Sequence, residues 1–352
     1  MGVEGAEKRF ALLQAARDSE YVKKMYGGYF NLFVEAFGEE GETWDLFMVV
    51  EGEFPLLTDL QNYDGFVVSG SPYDAYGDDG WIRELCDLLQ VINSLQKKIL
   101  GICFGHQVLC RALGGKVGKS KSGWDVGLRN VRFNVKNMVD ASSCSFLNGF
   151  DVDDFPQLLS IIELHQDEVL EVPMGAKVIG YSEKTGVEMF CFGHHILGIQ
   201  GHPEYPLDVI QNLIDRLLTN GSIQEELAEK ARFQLQKGEP DRKCWERICK
   251  GFLKAKILTK SVDNNTSDLY KGFLKSEIST ENVNKDLNDL CNGFLKDEIL
   301  KEHVDRNVDD LCKGFLKAEI LTENVDNNLN DLCKGLLKAE ILTESVSHNL
   351  TT

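Results

Sequence analysis

The residues whose types and spacing most directly suggest chemistry lie at Gly101-Ile102-Cys103-Phe104-Gly105, where the apolar run KKILGI meets a helical pattern that ends at Gly114-Gly115. This is the G-x-nucleophile-x-G turn between strand and helix, with cysteine in the place of serine. The turn is too tight for side chains at Gly101 and Gly105, and it lifts the Cys103 sulfur to the strand end. The start of the following helix favours thiolate over thiol, and the Phe104 N–H points to where an oxyanion would form. A nucleophilic cysteine needs a base, and the base needs an orienting partner. Of the seven histidines, one sits in a matching context: Gly201-His202-Pro203-Glu204, directly after the strand-like ILGIQ. Proline biases the residue before it towards extended backbone. Alternation then puts His202 and Glu204 on one side of the chain, where the carboxylate can hold the imidazole tautomer.

These residues need a scaffold, and the sequence from about 8 to 250 supplies one. RFALLQAA, WDLFMVV, DGFVVSG and KKILGIC are short, strongly apolar runs, as expected of strands covered on both faces. Between them, YVKKMYGGYFNLFVEAF and WIRELCDLLQVINSLQ have helical spacing. Alternating strand and helix patterns imply crossover connections and a parallel sheet. After Gly123 come shorter strand-like pieces, VGLRNVRF, AKVIGYS, VEMFCFG and ILGIQ, then two helical stretches near 207–220 and 223–237. Pro206 suits the first turn of the former stretch and Asn220-Gly221 its end.

From Gly251 onward the chain repeats. Glycines 251, 272, 293, 314 and 335 open near-identical segments (KGFLKAEILTE in one copy) at a constant spacing of 21 residues. Fixed-period self-similarity marks tandem duplication. Each unit reads as a short amphipathic helix, and the recurring glycine argues against one continuous rod. The expected organisation is a catalytic domain over 8–250 and an α-helical repeat tail over 251–352, the tail open to self-association or to a protein partner.

Composition excludes several classes. Fifty-six acidic against 38 basic side chains leave −18, which repels a phosphate backbone and argues against nucleic acid as a partner. No stretch approaches the roughly 20 apolar residues needed to cross a bilayer. The start, MGVEGAEKRF, lacks a basic region followed by an apolar run, so the expected location is the cytosol, with the ten cysteines as reduced thiols.

GICFGHQ together with GHPE resembles the class I glutamine amidotransferase domain of Cys-His-Glu type. Phe66–Pro72 (FVVSGSP) is similar to that family's strand and glycine loop, and Leu164–Val169 (LHQDEV) to its H-x-D-x-V segment. The resemblance spans about residues 8–250. It implies a flavodoxin-like, doubly wound, mostly parallel α/β fold, with Cys103 as nucleophile, His202 as base and Glu204 as orienter. It also implies oxyanion donors from the backbone of Gly70, Ser71 and Phe104, a glutamyl-binding role for Gln107, and no metal or organic cofactor. No synthetase domain or phosphate-cradling loop accompanies it. The SGSPYDAYGDD loop, GWDVG around Trp124 and PDRKCWERICKGFLK are similar instead to plant γ-glutamyl peptidases, stand-alone hydrolases of the γ-glutamyl bond of glutathione and its S-conjugates. The expected substrate is therefore a small γ-glutamyl compound. A glutaminase subunit feeding ammonia to a separate synthetase, and a non-catalytic scaffold, are the alternatives.

The remaining candidates read as structural. His106 reads as packing, His165 as support for a turn that could also contact substrate, and His194-His195 as a loop without metal spacing. Cys86 and Cys110 read as core. Asp151, Asp153 and Asp154 lack the EF-hand glycine and closing glutamate and read as a solvated acidic loop. Acidic groups for the substrate amine are expected within Asp74–Asp79.

Overall fold

Runs of four to six apolar residues are too short to bury themselves as helices, and in the computed structural model they become the strands of one sheet. The structure describes residues 8–134 and 155–255. The repeat tail beyond 255 and the acidic stretch at Asp151, Asp153 and Asp154 lie outside the described residues.

In chain order the strands are β1 (Lys8–Leu13), β2 (Glu42–Phe47), β3 (Gly65–Val68), β4 (Lys98–Ile102), β5 (Lys116–Lys119), β6 (Asp125–Phe133), β7 (Leu158–His165), β8 (Asp167–Glu171), β9 (Lys177–Tyr181), β10 (Met189–Phe192) and β11 (Ile196–Ile199). The helices are α1 (Glu20–Tyr26), α2 (Tyr29–Phe37), α3 (Gly80–Ser94), α4 (Phe104–Ala112), α5 (Leu207–Thr219), α6 (Glu225–Lys237) and α7 (Arg242–Lys254). Nine strands form one sheet in the order β2-β1-β3-β4-β11-β10-β9-β6-β7, while β5 and β8 pair separately. The pairs from β2 through β11 are parallel. The pairs beyond β11 are antiparallel. Alternating directions along that antiparallel half leave only β10 and β6 running against the rest, so the sheet is mixed but mostly parallel.

Alternation along β1 shows how both faces are covered. Phe10 and Leu12 belong to the core that holds Phe33 and Phe37 of α2 and Trp245 and Phe252 of α7. Ala11 and Leu13 belong to the opposite core, with Ile82 and Leu85 of α3 and Val108 and Leu109 of α4. The apolar runs thus read as continuous because neither face meets water.

Two expectations need amending. YVKKMYGGYFNLFVEAF is not one helix, because Gly27 (φ 76°) and Gly28 (φ 124°) take conformations that stop α1. The Asp18 carboxylate then accepts the Tyr29 N–H at 2.7 Å, and α2 starts afresh. Lys250, where the repeats suggest a boundary, falls inside α7, whose Phe252 and Leu253 are buried in the core. The described start of the first repeat copy, Gly251–Lys254, therefore belongs to this helix. Among the described residues, no helix is long and apolar enough to cross a membrane.

The turn between β4 and α4 is closed by backbone contact. A Cβ on Gly101 would lie 2.4 Å from the Gly105 carbonyl oxygen, and one on Gly105 would lie 2.3 Å from that of Val68. Neither neighbour is a side chain that could swing away. Gly105→Ala is therefore expected to cost about 1–3 kcal/mol and to lower the melting temperature by about 2–10 °C. An unchanged melting temperature in calorimetry would contradict the close approach.

Candidate active site

Three adjacent parallel strands deliver the candidate residues to one place. β3 leads into Ser69-Gly70-Ser71, β4 into Cys103, and β11 into Gly201-His202. Parallel neighbours end on the same edge of the sheet, so residues distant in sequence converge there. Cys103 has φ 52° and ψ −104°, a backbone conformation that side chains rarely adopt. It is held by a 2.9 Å bond from its N–H to the Ile199 carbonyl and by the first helical bond, Gln107 N–H to Cys103 O at 3.1 Å. Cys103 is only 6% exposed, yet it lines a cleft of about 200 Å³ with Gly70, Ser71, Gln107 and His202.

His202 is buried, and its Nδ1 lies 2.8 Å from Glu204 Oε1. With Nδ1–H donating to that carboxylate, Nε2 is left for Cys103: a Cβ built on Gly70 would lie 3.8 Å from His202 Nε2 and 3.6 Å from Cys103 Cβ, while the thiol itself sits 3.9 Å from the Leu164 carbonyl. Burial is the largest single influence on the imidazole and opposes its charging. Interactions with Glu204 first and with Cys103 next outweigh burial, and the His202 pKa stands well above the ordinary value. The backbone fixes the residue too, through a 2.8 Å bond from the His202 N–H to Ile162 O on β7. Among the described residues, no protein acceptor takes the N–H groups of Gly70, Ser71 or Phe104. Those three donors remain open for an oxyanion.

Gln107 is oriented by its own amide. Its Nε2 donates to Asp167 O at 2.8 Å and to Gln200 Oε1 at 3.0 Å, which leaves Oε1 as the acceptor for a ligand. Within the expected acidic range, Asp74 lines the cleft. Asp167 joins it there, its carboxyl raised to about 6 by burial first and by Asp74 second. His165 supports the turn, its Nδ1 donating to Asp167 O at 2.8 Å, and it lines the cleft. His106 packs at 5.0 Å on the Phe190 ring and is driven down to about 3 by burial. His195 is buried against Asn93 at 2.8 Å.

Sequence reasoning missed Tyr205, Arg17 and Arg216. Tyr205 stacks on the His202 ring with centroids 4.1 Å apart and planes 4° apart. A tyrosine following a His-Pro-Glu turn was the available signal, but stacking across that turn is a tertiary outcome.

Behind the cleft lies a group that pattern could not show, since its members come from β7 and from the approach to β10. Glu163, His165 and Glu188 bring one donor atom each to within 4.8 Å of one another, all buried. This set could hold a divalent cation. Proton sharing accounts for it equally, because burial, and then the Asp125 charge, raise the Glu163 carboxyl to about 8. Glu188 is raised well above its usual range by burial and by Glu163.

The chain was compared with known proteins. Residues 23–216 match the family model of class I glutamine amidotransferases. γ-Glutamyl peptidase 5 of Arabidopsis thaliana is 50% identical over 250 residues, covering 71% of this chain and 97% of that protein. γ-Glutamyl peptidase 3 of the same plant is 49% identical over 249 residues, covering 70% and 97%. Among solved structures, a glutamine amidotransferase from Thermotoga maritima superposes with a TM-score of 0.53 at 21% identity, covering 71% of this chain and 100% of that one. At that identity the likeness speaks for the fold.

The Glu163 carboxyl has a testable consequence. Its pKa is higher folded, at about 8, than in an unfolded chain near 4.5. Between those values the folded protein keeps a proton that the unfolded chain has lost, so stability falls as pH rises through this window. Glu163→Gln, which mimics the neutral acid, is expected to gain stability relative to the parent between pH 5 and pH 8. Denaturant unfolding with parallel pH profiles for the two proteins would contradict the assignment.

Proposed function

The chain belongs to the class I glutamine amidotransferase family, and from that premise we propose that it is a γ-glutamyl peptidase acting on glutathione or its S-conjugates. The observation carrying this reading is that Cys103 and His202 line one cleft, with Glu204 bonded to the far side of the imidazole, in a chain half identical over 250 residues to a protein named for that activity. Cys103 Sγ, its proton already taken up by His202 Nε2, attacks the γ-carbonyl carbon. The resulting oxyanion is held by the N–H groups of Gly70, Ser71 and Phe104. Collapse of this intermediate breaks the C–N bond, and His202 hands its proton to the leaving amine. A γ-glutamyl thioester remains on Cys103. His202 then takes a proton from water, which attacks the thioester and releases glutamate and the free thiol.

Glu204 keeps the Nδ1 proton in place and balances the imidazolium, in the manner of the third member of a triad. Gln107 Oε1, with Asp74 and Asp167, suits the α-ammonium of the glutamyl group. No step needs a metal or an organic cofactor. We place the protein in the cytosol, where thiols such as those of Cys86, Cys103 and Cys110 stay reduced.

Cys103→Ala is expected to lower kcat by at least about 10³-fold while leaving the circular dichroism spectrum unchanged. The parent is expected to release glutamate faster from glutathione and a glutathione S-conjugate than from glutamine. Glutamine as the best substrate would favour a glutaminase subunit, and no release from any of the three would favour a scaffold.

A further inference from the structure

Charge in the cleft is divided between two groups of residues. Asp74 and Asp167 interact with each other and with Tyr76, on the wall that also holds Gln107. The cleft is also lined by two arginines, Arg17 and Arg216, both exposed, and by the apolar side chains Tyr29 and Phe33 of α2 and Leu213 and Leu217 of α5. Arg216 shares α5 with the two leucines and acts electrostatically on Tyr29. The glutamyl half of a substrate is served by the first group. The second group needs an occupant.

Arg216 is the less committed of the two cations. Arg17 is paired with Glu51 at 3.0 Å and faces solvent. The carboxylates nearest Arg216 along α5 are already used: Asp208 accepts from the Tyr21 and Tyr26 hydroxyls, and Asp215 pairs with Arg232 at 2.7 Å. Among the described residues Arg216 makes no ion pair. In a chain of net charge −18, an arginine left without a carboxylate beside an apolar cleft wall is suited to an anionic ligand. Its planar fork matches a carboxylate through two parallel hydrogen bonds.

We propose that Arg216 binds the terminal carboxylate of the leaving half of the substrate, with the α2–α5 wall receiving that half's apolar side chain. The preferred substrates are then γ-glutamyl peptides ending in a free carboxylate, in preference to γ-glutamyl amines or glutamine. This rests on the γ-glutamyl reading above and adds to it the residue that chooses the leaving group. Glutamine gains nothing from this wall, because its leaving group is ammonia.

The test uses the full chain carrying Cys103→Ala, which binds without turnover, and two probes: S-benzylglutathione and the same conjugate with its glycine carboxylate converted to the amide. Calorimetric titration is expected to show the acid binding about tenfold more tightly than the amide. Adding Arg216→Gln is expected to bring the two affinities within about twofold, with Arg216→Lys intermediate. Arg17→Gln is expected to leave most of the preference in place. Equal binding of the two probes by the parent, binding of neither, or a preference that survives Arg216→Gln would each overturn the proposal. Glutamate release by the unmodified chain is measured separately on the same probes. Its absence would sink the proposed reaction, while the affinity ratio would still decide the subsite.

Discussion

Everything at this site depends on a backbone conformation that Cys103 would not choose for itself. Holding a non-glycine residue at a positive φ costs of order 1–3 kcal/mol and persists only where the surroundings over-determine it. Here they do. The Cys103 N–H is tied to β11, Gly101 lies against Gly105, and Gly105 lies against the Val68 carbonyl at the end of β3. The same three strands carry the Ser69–Ser71 loop, Cys103 and His202, the proposed oxyanion loop, nucleophile and base. The strain is thus paid within the contacts that also set the spacing of the reacting groups, and a change in any one strand would move all three.

Burial makes the second half of the arrangement. A protonated imidazole in an apolar site is costly unless a partner neutralises it, and Glu204 is such a partner, itself fully buried beside His202. Tyr205 stacked on the ring limits how the imidazole can tilt. Behind them, Glu163 and Glu188 face each other with more affinity for protons than carboxyls ordinarily have. A neutral acid in that position leaves the His202–Glu204 pair free of further negative charge. The cleft is therefore backed by a core that is polar but close to charge-balanced, since Arg129 also pairs with Asp125 at 2.6 Å.

Much of this was legible in the sequence because its signals are local. A strand, a G-x-C-x-G turn and a helix follow one another in the chain, and the two glycines are explained by contacts made within the turn and with the adjoining strand. His202 and Glu204 are two residues apart, so their pairing is local, although the chain turns at Pro203-Glu204 instead of staying extended as expected. The break between α1 and α2 was missed because the apolar period runs on through Gly27-Gly28, although the positive φ there ends the helix. β7 escaped notice apart from its last residues and β8 apart from its first, and β5 (Lys116–Lys119) altogether. Their pairing partners, not their composition, make them strands. Tyr205, Arg216 and the Glu163–His165–Glu188 group were invisible for the same reason: each acquires its role from a neighbour on another element.

The most direct test of the central claim is to stop turnover of glutathione with acid on the millisecond scale and find the covalent intermediate by peptide mass spectrometry. The account predicts a γ-glutamyl adduct on the peptide carrying Cys103, formed and lost at rates compatible with turnover, and its absence in Glu204→Gln when thioester formation becomes limiting. Glutamate release with no adduct on any cysteine, or an adduct on Cys110 instead of Cys103, would contradict it.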